Sequence, residues 1–272
     1  MTTPYPLLLE PAALAAALDD PALLIVDLCQ EQHWQRLHLP GAVHVNPTAL
    51  LCGVPPAPGK LPEPAQLAAL FSAIGYTPDR HLVAYDDEGG GWAGRFLWTL
   101  DVIGHTRHSY LNGGLHSWLK EGHPITTAIV TPQPTAVELN LHEDPIADRQ
   151  TVMDALGRDD VGLWDARSRE EYLGLRSGSR RAGHIPGAVN IDWLELMDHA
   201  RNLRLLPADQ LRAKLTAAGI APEQRIITYC QSHHRSGLSY LAAKSLGQRV
   251  QAYPGAWGEW GNLPDTPIEV LA

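Results

Sequence analysis

Cysteine is scarce in this chain: there are 3 in 272 residues, at positions 29, 52 and 230. So few thiols, so far apart, exclude a disulfide framework and a cysteine-built zinc site. Long apolar runs are missing too, and none approaches the roughly 20 residues that span a bilayer. The opening stretch, Met1-Thr2-Thr3-Pro4-Tyr5-Pro6, has neither a basic nor an apolar segment, so no secretory leader is expected. Positive charge is in deficit: 21 Lys and Arg face 30 Asp and Glu, a net charge of −9. That balance argues against nucleic acid as the main partner. It leaves room for an anionic small molecule, because a local nest of N–H groups can outweigh a distant net charge. These absences predict a soluble, cytoplasmic protein with no membrane partner, kept where a free thiol can persist.

Hydrophobic residues make up 44% of the chain, enough for a packed core. The length suits one large domain or two ordinary ones. A repeated layout decides between them. A turn and strand ending in Asp27 reappears as a turn and strand ending in Asp165. His38-Leu39-Pro40-Gly41-Ala42-Val43-His44 is echoed by His184-Ile185-Pro186-Gly187-Ala188-Val189-Asn190. An amphipathic helix from Leu67 to a stop at Gly75 matches one from Leu211 to Gly219. The strand Leu82-Val83-Ala84-Tyr85 matches Ile226-Ile227-Thr228-Tyr229, and Asn112-Gly113-Gly114 answers Pro254-Gly255-Ala256. Strands alternating with helices imply, in each copy, a parallel sheet flanked by helices. The expected organisation is an N-terminal unit over 1–125, a proline-containing linker over 126–145 and a C-terminal unit over 146–272.

The copies differ where chemistry would sit. After Tyr85 the first has Asp86-Asp87-Glu88-Gly89-Gly90-Gly91; after Tyr229 the second has Cys230-Gln231-Ser232-His233-His234-Arg235-Ser236-Gly237. A thiol at a strand end, facing a helix N-terminus and loop N–H groups, lies in a field that favours its anion. Cys230 is therefore the candidate catalytic nucleophile. The amides from Gln231 to Ser236 are expected to point inward and bind the anionic substrate group. The first loop has no thiol, and its carboxylates should repel an anion, so that copy is expected to be inactive. Cys29 and Cys52 lack this context and are expected to be bystanders.

Two roles are open to Arg235: holding the oxygens of an anionic substrate, or pairing with a carboxylate such as Asp165 to shape the loop. Arg176, Arg180 and Arg181 lie just before His184 and can form a positive rim, with Arg181 the candidate for substrate contact. His233 and His234 can add charge below pH ~6.5. Two adjacent histidines are a weak metal signal, and neither a metal nor a cofactor is expected. Trp118, Trp193 and Trp260 are expected in the core, with a wall of the cleft as the alternative role for Trp193. A phosphatase would also use a Cys-to-Arg loop; the shorter loop here suits a single sulfur atom better.

On the strength of the two matched copies, the His184-to-Asn190 stretch and the Cys230 loop, the chain resembles a tandem-domain rhodanese. The loop is most similar to the bacterial variant with Cys-Gln-x-His-His-Arg. The resemblance implies two rhodanese-like domains and a sulfurtransferase that carries sulfane sulfur on Cys230 as a persulfide. It implies thiosulfate as anionic donor and cyanide or another thiophile as acceptor. A 3-mercaptopyruvate donor, or a carrier role toward a partner protein, stays open. In mercaptopyruvate enzymes an Asp, a His and a loop Ser form a proposed proton-handling triad; Asp27, His38 and Ser232 stand at the matching places. Asp27 and His38 are read instead as stabilising their own unit, since both copies carry that pair.

Overall fold

Leu23-Leu24-Ile25-Val26 and Ile226-Ile227-Thr228-Tyr229 are unbroken apolar or β-branched runs. Strands covered on both faces need such runs, and parallel sheets are covered in this way. A computed structural model describes residues 5–270 of the chain. Residues 1–4, on which part of the expectation about a leader rests, lie outside the described residues. No helix among the described residues is long and apolar enough to cross a membrane.

The chain divides into two compact units. The first contains a parallel sheet of β1 (Leu8–Leu9), β2 (Leu23–Asp27), β3 (Val43–His44), β4 (His81–Tyr85) and β5 (His108–Leu111), in the order β1-β5-β4-β2-β3. Its helices are α1 (Pro11–Ala15), α2 (Glu31–Arg36), α3 (Pro64–Ala73), α4 (Gly91–Val102) and α5 (Gly114–Lys120). The second unit has the parallel order β11-β10-β6-β7, from β6 (Val161–Asp165), β7 (Val189–Asn190), β10 (Arg225–Tyr229) and β11 (Val250–Ala252). Its helices are α6 (Arg149–Ala155), α7 (Arg169–Tyr172), α8 (Ala208–Ala217), α9 (Arg235–Ser245) and α10 (Ala256–Trp260). A small ribbon pairs β8 (Met197–Asp198) with β9 (Arg204–Leu205). The two sheet orders correspond strand for strand; in place of β1 the second unit has one parallel bridge, Ile146 to Ala252. Each unit has its own core: Leu23, Ile25, Val83, Tyr85 and Trp118 in the first, Leu163, Ile227, Tyr229, Trp257 and Trp260 in the second.

The units are not contiguous in sequence, as the expected boundaries would make them. Leu51–Leu61, from the first copy, packs with the second unit, and Asp198–Leu205, from the second copy, packs with the first. The expected linker lies largely within the first unit. Up to His142 it belongs to the first unit, where the Thr135 N–H donates to Ser72 O at 3.2 Å and the His142 N–H to Val102 O at 2.7 Å. Prolines stop that stretch from forming a helix, and these two N–H groups find acceptors in the first unit instead.

Candidate active site

Register places the two matched loops. Tyr229 lies opposite Asp165, and Tyr85 opposite Asp27, so Cys230 and Asp86 leave equivalent strands at equivalent ends. Helix α9 begins at Arg235, three residues before the apolar periodicity starts. The loop is therefore residues 230–234, and Arg235, Ser236 and Gly237 form the first helical turn. That first turn carries the N–H groups that no helical carbonyl can satisfy.

Cys230 is 1% exposed. Its burial by itself raises the thiol pKa. The Arg235 charge, the Ser236 hydroxyl and the Ser236 and Ser232 N–H groups outweigh that, and the pKa falls below the ordinary thiol value. The aim of these amides follows from peptide planarity: in a trans peptide C=O and N–H point to opposite sides. The Trp257 N–H holds the Cys230 carbonyl at 2.9 Å, and the Gly258 N–H holds the Gln231 carbonyl at 2.9 Å. With the Gln231 carbonyl drawn toward α10, the Ser232 N–H turns the other way, to the sulfur. A Cβ at Gly258 would lie 2.9 Å from the Gln231 oxygen, so glycine is required for this approach.

His233 is fully buried and left-handed, at φ 55°, a conformation that side chains other than glycine rarely adopt and that clusters at working sites. Its Nδ1 lies 2.8 Å from Ser236 Oγ. With the hydroxyl proton directed at Cys230, that nitrogen is the donor to Oγ, and the histidine fixes the hydroxyl's orientation. The sequence placed His233 as a general charge on the loop; the backbone turn that buries it was not visible there. Its neighbour His234 lies 5.7 Å, ring to ring, from Trp193. Trp193 is thus beside the loop and only half-buried, whereas Trp118 and Trp260 are in the cores.

Arg235 forms a two-pronged contact with Glu171 of α7, at 2.6 and 3.0 Å. This is an anchoring contact, and its partner is Glu171 rather than Asp165. Asp165 is instead taken by the buried Arg167, with its closest contact at 2.6 Å. Arg167 also lies 4.4 Å over the Trp257 ring, which ties the sheet end to the helix that holds the loop carbonyls. Arg181, expected on a substrate-facing rim, is a clamp: its guanidinium donates to the carbonyls of Trp260, Leu263 and Thr266. A sequence shows a cluster of arginines but not which carbonyls fold back onto them. Gln231 likewise uses its amide on Ser179 Oγ, at 3.1 Å.

Glu171 shows how tightly this support is built. Burial raises its pKa, but the Arg235 contact and charge overcome that and hold it down at about 2, from an ordinary 4.5. A depressed carboxylate pKa stabilises the fold fully above the ordinary value, and the contribution disappears as pH falls through the folded value. Acid unfolding followed by circular dichroism should therefore show stability declining from pH 4.5 toward about 2, with that limb flattened in Glu171→Gln.

The first copy has the same nest with a different occupant. Asp86 accepts the N–H groups of Glu88, Gly89, Gly90 and Ala93 at 2.8–3.2 Å. The loop does not lack a cradle for an anion, as its acidic sequence suggested; its own carboxylate fills the cradle. Nearby Cys29 is fully buried, and burial together with Asp27 pushes its pKa far up, so it stays a neutral thiol. The Cys52 thiol donates to Ala57 O at 3.3 Å. Asp27 accepts the Tyr85 hydroxyl, and His38 faces the carbonyls of Trp34 and Ala128, so both are engaged within the first unit. Among the described residues no group of three or more His, Cys, Asp or Glu is arranged to hold a metal.

Two parallel-sheet units, with a buried thiol at the loop of one and a carboxylate at the matched loop of the other, define a tandem α/β protein. The Rhodanese-like domain model matches residues 10–121 and 148–263, and the chain belongs to that family. It is 49% identical over 266 residues, 97% of each chain, to the thiosulfate sulfurtransferase of Azotobacter vinelandii. It is 33% identical over 217 residues, 75% of each chain, to the sulfur carrier protein TtuD of Thermus thermophilus. Its fold matches the crystal structure of SseA from Escherichia coli, one of the 3-mercaptopyruvate sulfotransferases. That match has a TM-score of 0.84 and 28% identity, over 92% of this chain and 98% of that one.

Proposed function

We propose that this protein is a thiosulfate sulfurtransferase that carries sulfane sulfur as a persulfide on Cys230. The Cys230 thiolate attacks the outer sulfur of thiosulfate. The S–S bond of the donor breaks, sulfite leaves with the electron pair, and a Cys–S–S⁻ group remains. Cyanide or another thiophile then attacks the terminal sulfur; thiocyanate departs and the thiolate is restored. The observation that carries this reading is the buried Cys230 sulfur receiving the Ser232 and Ser236 N–H groups, with its pKa lowered. Those donors favour an anion at that point, both the thiolate before transfer and the charged terminal sulfur after it. In this reading the amides of residues 231–236 are the substrate-binding elements, and Arg235 acts through its charge and its hold on Glu171. The first unit is catalytically silent because Asp86 occupies the nest that a donor would need. The likeness to the Azotobacter protein over nearly the whole chain supports thiosulfate as donor.

The SseA fold match keeps 3-mercaptopyruvate as a second donor, and the Thermus relative keeps delivery to a partner protein as a second fate for the sulfur. Thiocyanate production with each donor at equal concentration tests the reading. Thiosulfate is expected to give the larger kcat/KM. A larger value with mercaptopyruvate overturns the donor assignment. Hydrolysis of an aryl phosphate without thiocyanate overturns the reaction class.

A further inference from the structure

The segment Leu51–Leu61 follows the first copy's third strand in sequence but packs in the second unit, directly on the cysteine loop. It is folded on itself: the Cys52 N–H donates to Lys60 O at 2.8 Å, and the Gly53 N–H to Pro58 O at 3.1 Å. Its backbone at Gly59 presses on the loop. A Cβ there would lie 2.3 Å from the Ser232 oxygen and 2.6 Å from the Pro254 oxygen, about 1 Å inside ordinary contact. Both atoms are backbone, so neither can swing aside as a flexible side-chain end would. Gly59 is not left-handed; it is glycine because of this approach. Nearby, Pro56 O would lie 3.2 Å from a Cβ at Gly258, the residue whose N–H holds the Gln231 carbonyl. Lys60 then ties the same helix: its Nζ is 2.6 Å from Glu259 Oε1, while Glu259 Oε2 accepts the Tyr253 hydroxyl at 2.9 Å.

The first unit carries the mirrored arrangement. Asp198–Leu205 supplies Asn202, whose oxygen would lie 2.6 Å from a Cβ at Gly113, and the Leu205 N–H donates to Asn112 Oδ1 at 2.9 Å. Asn112 and Gly113 match Pro254 and Gly255 in the repeat. In each unit, then, a segment from the other copy packs against this matched turn.

We propose that Leu51–Leu61 is a strap that holds the cysteine loop in shape, and that Gly59 and Lys60 are positioning residues for sulfur transfer. This rests on the function proposed above. The physical link is the peptide plane. Gly59 backs the carbonyl of Ser232, the residue whose own N–H reaches the sulfur, and Lys60 steadies the helix that draws back the Gln231 carbonyl. Displacing either rotates the donors away from the sulfur. His233 is held at φ 55°, a sparsely populated conformation that persists only while the surrounding contacts enforce it.

The test is the pH midpoint of Cys230 alkylation by iodoacetamide in the full chain, read at that residue by peptide mass, beside kcat and KM. Gly59→Ala is expected to raise the midpoint by about one pH unit, a tenfold loss of thiolate below the midpoint. It should lower kcat more than it raises KM. A folded Gly59→Ala with the unaltered midpoint overturns the proposal. If Gly59→Ala does not fold, Lys60→Met decides. A raised midpoint restored by Lys60→Arg supports the strap, and an unchanged midpoint overturns it. Lys214→Met, which removes the exposed pair with Glu195, should leave the midpoint in place. The midpoint can be measured whether or not sulfur is transferred. Absence of sulfur loading in the unaltered chain therefore counts against the proposed function alone.

Discussion

Cys230→Ala is expected to abolish both sulfur loading and thiocyanate formation, while Cys29→Ala and Cys52→Ala still load one sulfur. After thiosulfate treatment, the intact mass of the unaltered chain should rise by one sulfur atom, and cyanide should remove it. The expectation of total loss follows from covalent catalysis: without the thiolate there is no first bond to form, and the amide nest alone holds an anion without transforming it. The other two thiols are poor substitutes for different reasons. Cys29 is fully buried beside carboxylates that disfavour its ionisation. Cys52 already donates its proton to a carbonyl of its own segment. A sulfur load that survives Cys230→Ala would refute the persulfide assignment.

The second large effect concerns stability. Asp165 and Arg167 are both fully buried and paired at 2.6 Å. Removing one member of such a pair leaves an uncompensated charge in the interior, at a cost of about 3–5 kcal/mol. Asp165→Asn should therefore lower the calorimetric transition of the second unit by that order, and loading at Cys230 should decline with the fraction folded. The double change Asp165→Leu with Arg167→Met should recover much of the loss, because it removes both charges at once. The matched change Asp27→Asn is expected to cost less. Asp27 accepts the Tyr85 hydroxyl and the Cys29 N–H, neutral donors in place of a guanidinium. Equal losses from Asp165→Asn and Asp27→Asn would show that the Arg167 charge is not what makes the second site sensitive.

Several parts of the site were readable from residue order. Strand, cysteine, short loop and helix are consecutive in the chain, so local periodicity was enough to place Cys230 at a strand end facing a helix. The helix start was misplaced by three residues because periodicity detects only the apolar face. Arg235, Ser236 and Gly237 form a polar first turn that reads like a loop. The filled nest of the first copy was half readable. The carboxylate in place of the cysteine was plain, but its capture by three loop amides and one from the first turn of α4 depends on backbone angles that composition does not reveal.

Residue order alone determined that the chain is a duplicated α/β protein, that a thiol stands at one strand end and that an aspartate stands at the other. Alternating strand and helix periods, and residues adjacent in sequence, carry that information. Tertiary structure alone decided that Arg235 meets Glu171, 64 positions away, that Arg181 clamps carbonyls, and that Leu51–Leu61 backs the loop of the other copy. Those outcomes depend on which distant backbone oxygen or carboxylate comes within about 3 Å of a donor. Such a distance is set by how whole elements pack, and no local pattern encodes it.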